Sequence, residues 1–333
     1  MLTWSAEKIN LKLLYSWKIS RNESSEKTNI IVTVSDGKIY GRGEAAPNIR
    51  YGESPEKLME EFLQFQQNAP KAINSIEQLA VDLKLMNISN SLRFAIESAA
   101  LHFESLSQGR PLETWGLRPA SGIRTSYTLP IMDLGQVSRF IEEYKLSRFV
   151  PLKLKVNAEN AEGLIKEVRR IYDGDICIDA NEAWRNPDDV LRLMEKVKNS
   201  KILFFEQPFP HELVVEYKYL KKNSDFDIIA DESITDKVED IPGFSEMFHG
   251  INMKLMKAGG YLNGLKILDE ANKHNMKTMV GCMIETTLGI SSALNLASGL
   301  DYVDLDGFFV VGNEPFGLVK EEDGLLFKND LKL

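Results

Sequence analysis

FVPLKLK (149–155), DICIDAN (175–181), ILFFEQP (202–208), DIIADES (227–233), GINMKLMKAGG (250–260), TMVGCMIET (278–286) and YVDLDGF (302–308) share one plan, an apolar run followed by a polar or pocket residue. Taking that residue from each gives Lys155, Asp179, Glu206, Asp231, Lys254, Cys282 and Asp304, separated by 22 to 28 residues. A strand, a loop, a helix and a return loop need about that length. The intervening segments support helices. Leu164, Ile165, Val168 and Ile171 form one apolar face, and Asn186-Pro187 starts a helix whose face is Val190, Leu191, Met194 and Val197. Apolar strands alternating with such helices imply a parallel sheet covered on both sides. One more strand at 125–129 brings the count to eight, the number of a TIM-type barrel.

The competing α/β fold is an open doubly wound sheet, which carries a Gly-rich phosphate loop after an early strand; this chain has none. In a barrel, the carboxyl ends of all strands face one mouth, so residues about 150 positions apart converge. The first third reads differently. Strands at 11–18 and 29–35 and a turn at Ser35-Asp36-Gly37-Lys38 lead into Ile39-Tyr40-Gly41-Arg42-Gly43. Ser54-Pro55 then opens a helix, and another runs through Leu92, Ala95, Ala99 and Phe103. This predicts an α+β domain over 1–120 and a barrel over 121–309.

Composition narrows the function classes. The 333 residues are 43% hydrophobic and 27% charged, an ordinary globular balance. With 40 Lys and Arg against 49 Asp and Glu, the net charge of −9 disfavours nucleic acid and acidic membrane as partners. The start MLTWSAEKINLKLLYSW lacks the continuous apolar core of a signal peptide, and no run of about 18 apolar residues offers a membrane span. Two cysteines, Cys177 and Cys282, are too few for a disulfide framework and fit a reducing, cytoplasmic setting.

Asp179, Glu206 and Asp231 end successive strands. Any one alone reads as a helix cap or loop ion pair; brought together, three carboxylates must be protonated or bridged by a cation. Oxygen-only ligation points to Mg²⁺. Lys153 and Lys155 share a strand face. Crowded beside a metal, they are expected to depress each other's pKa and supply a neutral amine as base. Lys254 closes a strand almost across the barrel, so a carbon held between the lysines could exchange a proton between its two faces. Asp304 and Asp306 repeat the same-face spacing with negative charge. They take either a ligand ammonium or a salt bridge within the mouth, and spacing does not separate the two. The four histidines show no ligand spacing, and Lys257 reads as a structural or surface residue.

Together KLK (153–155), DANEAW (179–184), EQP (206–208), ADES (230–233), KLMKAGG (254–260) and MIETTLGI (283–290) resemble the muconate-lactonising-enzyme branch of the enolase superfamily, and GRGEAAP (41–47) resembles its capping-domain motif. The resemblance implies a modified (β/α)₇β barrel under an α+β cap, with 310–333 returning to the cap. It implies one Mg²⁺ per subunit on Asp179, Glu206 and Asp231, Lys155 and Lys254 as the acid/base pair, and Lys153 helping to hold a substrate carboxylate. The Asp304-Leu305-Asp306 element looks like the mark of dipeptide epimerases in this branch. There both carboxylates receive the free α-ammonium of a dipeptide, and Thr128, Cys282 and Ile284 align with substrate-lining positions. Members acting on Ala-Glu carry an Arg in a loop where this chain has Asn22 beside Arg21. That leaves a small or apolar second residue, as in Ala-Ala or Ala-Val, at least as good a candidate as an acidic one.

Two other readings stand beside this one. An o-succinylbenzoate synthase, N-acylamino-acid racemase or muconate cycloisomerase would use the same lysines and metal, but would leave the aspartate pair facing an uncharged acyl group. A barrel retained only for binding or structure would show decay in the lysine and carboxylate set, which is intact. Homo-oligomers are common among such barrels, and no interface is legible in the chain.

Overall fold

The computed structural model describes residues 1–18 and 23–329. Its N-terminal part is an antiparallel sheet of β1 (Thr3–Lys18), β2 (Glu23–Ser35) and β3 (Tyr40–Ala45), in that order. Helices α1 (Pro55–Gln67) and α3 (Asn90–Gln108) pack on it, and α2 (Ile76–Leu85) packs on α3. Ser54 caps α1 as expected, accepting from the Lys57 N–H with Pro55 at the first turn. The glycines of GRGEAAP have a packing reason. A Cβ on Gly41 would stand 2.1 Å from the Ala99 carbonyl oxygen, and one on Gly43 2.1 Å from that of Ala95, so β3 lies directly against the backbone of α3.

After the short strand β4 (Ile123–Arg124) come the barrel strands: β5 (Tyr127–Leu129), β6 (Leu152–Lys155), β7 (Ile176–Asp179), β8 (Ile202–Glu206), β9 (Asp227–Ala230), β10 (Gly250–Lys254), β11 (Lys277–Gly281) and β12 (Tyr302–Asp304). They form one eight-stranded parallel sheet in sequence order. The Ser126 N–H donates to the Val303 carbonyl at 3.1 Å, bringing the first and last strands together. Between strands lie α4 (Leu134–Glu143), α5 (Ala161–Ile171), α6 (Pro187–Val197), α7 (Val214–Asn223), α8 (Ile241–Phe244), α9 (Leu255–Ala258), α10 (Tyr261–Lys273) and α11 (Thr287–Ala293). On α6 the buried face takes Leu193 where the sequence pattern put Leu191.

Some strands stop before the sequence run that contains them does. The KAGG end of the 250–260 run folds into α9 and a glycine cap at Gly259, and β12 ends at Asp304, leaving Asp306 on the following loop. Beyond the barrel, residues 310–313 meet β1: Leu13 bridges Val311, and the Gly312 N–H donates to the Lys12 carbonyl at 2.8 Å. The hairpin of β13 (Val319–Glu322) and β14 (Leu325–Lys328) then adds to β4. No helix among the described residues is long and apolar enough to cross a membrane.

Inside the barrel, Cys177, Phe204, Ile229 and Met279 form a buried apolar plug. Strand side chains alternate, so residues two positions further on face the same interior one layer higher. That layer is Asp179, Glu206, Asp231 and Gly281, at the carboxyl ends of the strands.

Candidate active site at the carboxyl end of the barrel

Strand register sets the layer's geometry. Lys155 pairs with Asp179, Asp179 with Glu206, and Lys254 with Gly281, which pairs in turn with Asp304. Asp179, Glu206 and Asp231 are buried, each with a carboxylate oxygen within 4.8 Å of the others'. Lys155 and Lys254 stand at the two ends of this acidic arc. Lys155 Nζ lies 2.6 Å from Asp179 Oδ2, and Lys254 Nζ lies 2.9 Å from Asp231 Oδ2. Their strands, β6 and β10, are four apart in a barrel of eight, which puts the two amines on opposite sides of its axis.

Burial raises the free energy of every charge here, so partners decide the protonation states. Glu206 is pushed up to about 8 by burial and by the neighbouring Asp179 carboxylate. Asp179 is lowered to about 2, because Lys153 and Lys155 outweigh its burial. Lys254 and Lys257 likewise outweigh burial at Asp231 and hold it well below the usual carboxylate range. Lys153 Nζ stands 2.8 Å from Glu206 Oε2, but off the direction of a hydrogen bond, so that buried oxygen accepts none. A buried, oxygen-only donor set with an unused acceptor fits a hard divalent cation such as Mg²⁺.

The lysine environment differs from the sequence expectation. Lys153 Nζ is ringed by Asp304 Oδ2 at 2.7 Å, Glu206 Oε2 at 2.8 Å and Asp179 Oδ2 at 3.0 Å. Burial opposes its charge, but Asp179, Asp304 and Glu206 prevail and hold its pKa well above the ordinary lysine value. Lys254 is also raised, against its burial, chiefly by Asp231. At Lys153 and Lys254 the carboxylates outweigh the neighbouring ammonium groups. Lys153, 2% exposed, is held among these acids at the floor of the cavity.

The aspartate pair also separates into two environments. Asp304 accepts from Lys153 Nζ and from the Ser126 hydroxyl, which is the salt bridge that sequence spacing left open. Asp306, on the loop after β12, accepts the Thr128 N–H at 2.6 Å, and burial together with Asp304 pushes its carboxyl up to about 7. The two acids do not stand bare side by side.

A cavity of about 930 Å³ lies over this layer, and Thr128, Lys153, Lys155, Lys254, Cys282, Ile284, Asp304 and Asp306 line it together with Asp231. Its other wall comes from the N-terminal sheet and the segment after β3, including Trp17, Asn29 and Tyr51. Asn22 and Arg21 lie outside the described residues. Two polar ties fix the cover. Arg50 pairs with Glu182 of the DANEAW motif at 2.5 Å. Glu44 of GRGEAAP is buried and accepts from Asn29 Nδ2 at 2.8 Å, the Thr286 N–H and hydroxyl, and the Gly289 N–H at 2.9 Å.

Three participants escape the sequence reading. Lys257 is not on the surface: it is 3% exposed, with Nζ 2.6 Å from Asp231 Oδ1, so it braces that carboxylate. Asn252 donates to Glu206 Oε1 at 2.9 Å. Ser126 holds Asp304. The same-face spacing that selects Lys153 from Lys155 selects Asn252 from Lys254 and Ser126 from Thr128. The histidines are not ligands to this set; His102, for example, bonds the Arg42 carbonyl and the Tyr261 hydroxyl in the core.

A family model described as enolase C-terminal domain-like matches residues 136–307. An L-Ala-D/L-amino acid epimerase of Pedosphaera parvula is 31% identical, the match covering 95% of this chain and 93% of that protein. An L-Ala-D/L-Glu epimerase of Bacteroides thetaiotaomicron is 28% identical, covering 96% and 84% respectively. The crystal structure of an enolase family member from Agrobacterium tumefaciens with homology to dipeptide epimerases, with bound sodium and L-Ala-L-Glu, matches with a TM-score of 0.90 at 26% identity, covering 99% of this chain and 98% of that one. With the barrel, the acidic arc and the flanking lysines in place, these matches establish that the chain belongs to the enolase C-terminal domain-like family of the enolase superfamily.

Proposed function

We propose that the protein is a Mg²⁺-dependent dipeptide epimerase that inverts the α-carbon of the C-terminal residue of its substrate by 1,1-proton transfer. The observation that carries this reading is the placement of Lys155 and Lys254 at opposite ends of the Asp179–Glu206–Asp231 arc. One amine takes the α-proton from one face of the carbon, and the ammonium opposite returns a proton to the other face. An α-proton beside a carboxylate is far too weakly acidic for an amine unless the new negative charge is met as it forms. A divalent cation on the three carboxylates supplies positive charge at that point.

Asp306 is the acid of the pair with capacity left for the free α-ammonium of a dipeptide, because Asp304 is taken up by Lys153 and Ser126. That ammonium would also settle Asp306 in its charged form. Thr128, Cys282 and Ile284 shape the wall beside it. The remaining readings of this family's chemistry, on N-acyl amino acids or muconate-type acids, offer Asp306 no counter-charge. Residues 1–120 serve as the cover and 121–309 as the catalytic barrel, with the described part of the C-terminal segment, 310–329, tying the two together.

The test is incubation of dipeptides with the enzyme and Mg²⁺ in D₂O, following α-deuteration and inversion by NMR and mass. Lys155→Ala and Lys254→Ala should each lose epimerisation by at least about 100-fold while staying folded. Each should still exchange the α-proton of one diastereomer only, the one its remaining amine can reach. Full inversion in either variant would refute the two-base assignment.

A further inference from the structure

Lys27 is the cation in the cavity wall that the reaction leaves without a task. It pairs across the β1–β2 ladder with Leu11, and on its own strand it shares a face with Asn29. That face looks onto the barrel. Leu11 packs with Ile284, Val310 and Val311, and Asn29 Nδ2 donates to the Ile284 carbonyl at 3.0 Å. Lys27 is half-buried and lines the same cavity as Ile284 and Asp306.

The other lysines of that wall, Lys153, Lys155 and Lys254, are each paired with a carboxylate. Lys27 is not: among the described residues no carboxylate offsets its burial, which by itself lowers its pKa. Glu26, the adjacent acid, also borders the cavity, but it is exposed and points from the alternate side of the strand, and no ion pair joins it to Lys27 among the described residues. A partly desolvated ammonium with no partner is an unfavourable arrangement that a ligand's counter-charge would relieve.

We propose that Lys27 selects dipeptides whose C-terminal residue carries an anionic side chain, pairing with that carboxylate from the cap side of the cavity. The inference rests on the epimerase reading. With the reacting carbon between Lys155 and Lys254, its carboxylate toward the cation that Asp179, Glu206 and Asp231 would hold and the dipeptide's amine at Asp306, the side chain is left to rise toward the sheet that carries Lys27.

The experiment compares kcat/KM for L-Ala-L-Glu, its uncharged isostere L-Ala-L-Gln and L-Ala-L-Lys, at saturating Mg²⁺, in the wild type, Lys27→Ala and Lys27→Glu. The wild type should prefer Ala-Glu over Ala-Gln by about 10- to 100-fold, the range of a charge-assisted hydrogen bond. In Lys27→Ala that ratio should collapse to near one, and in Lys27→Glu the preference should pass to Ala-Lys. A wild type that treats Ala-Glu and Ala-Gln alike, or a ratio that Lys27→Ala does not move, overturns the assignment while turnover of the dipeptides leaves the epimerase reading standing. Absence of α-deuteration with every dipeptide overturns that reading, and this inference with it.

Discussion

Glu44 offers the most direct test of how the N-terminal sheet and the barrel jointly build the cavity. Its carboxylate, wholly buried, is met by donors from three places: Asn29 on β2, Thr286 before α11 and Gly289 inside that helix. Burial pushes its carboxyl up, and these donors pull it part of the way back. In Glu44→Ala the donors are orphaned. Each buried unsatisfied group costs about 1–3 kcal/mol. They share one small space that water can partly fill, so we expect a total of about 3–5 kcal/mol. That corresponds to a fall in Tm of roughly 4–7 °C for a chain of this size. Glu44→Gln keeps the shape but turns one acceptor into an NH₂ that meets another donor, so it should lose at least half as much. Thr286 follows Ile284 and Cys282 in the chain, so the surviving enzyme should show a raised KM more than a lowered kcat. The assays are thermal unfolding by circular dichroism and steady-state kinetics on a dipeptide. A Glu44→Gln variant that melts with the wild type would refute the argument, because it would mean the donors do not need the charge.

Three further outcomes follow from the site and core. Adding Mg²⁺ at a hundredfold excess over its Kd should raise wild-type stability by about 2.7 kcal/mol, read as a Tm increase, and Glu206→Gln and Asp231→Asn should lose that gain; a melting curve indifferent to Mg²⁺ in the wild type would sink the ion assignment. Asp306→Ala should weaken binding of free-amine dipeptides far more than of their N-acetyl analogues, and equal losses would contradict the ammonium role. His102, whose pKa is lowered by burial to about 4 from 6.5, stays neutral in the folded protein while the unfolded chain takes up a proton. Stability from this residue is therefore complete above about pH 6.5 and is lost as pH falls toward 4, about 3 kcal/mol in all. The difference in Tm between wild type and His102→Gln, measured across pH 4 to 7, should carry that slope; parallel curves would show the imidazole is not the cause.

The barrel and its mouth were legible because parallel buried strands must be apolar and must end where the polar work is done. Lys155, Asp179, Glu206, Asp231 and Lys254 could be picked from the chain for that reason. What escaped depends on contacts between elements. The helix α2 buries only Ile76, Leu79 and Leu83 and leaves Val81 and Leu85 exposed, so its apolar residues do not mark out one clean face. Lys257 follows a strand end as a surface lysine would, and only the turn through α9 brings it against Asp231. The division of labour between Asp304 and Asp306 depends on where β12 stops, which side-chain alternation alone does not specify. Lys27 was invisible for the opposite reason: one lysine in a polar strand end has no pattern until the opposite wall is known.

Because Gly41 and Gly43 let strand and helix touch backbone to backbone, the roof of the reaction chamber has no shim that a single mutation could thicken or thin. A lineage adapting this scaffold to bulkier or shorter substrates could not re-pitch that roof in small steps. It would have to alter what hangs from it, one projecting side chain at a time.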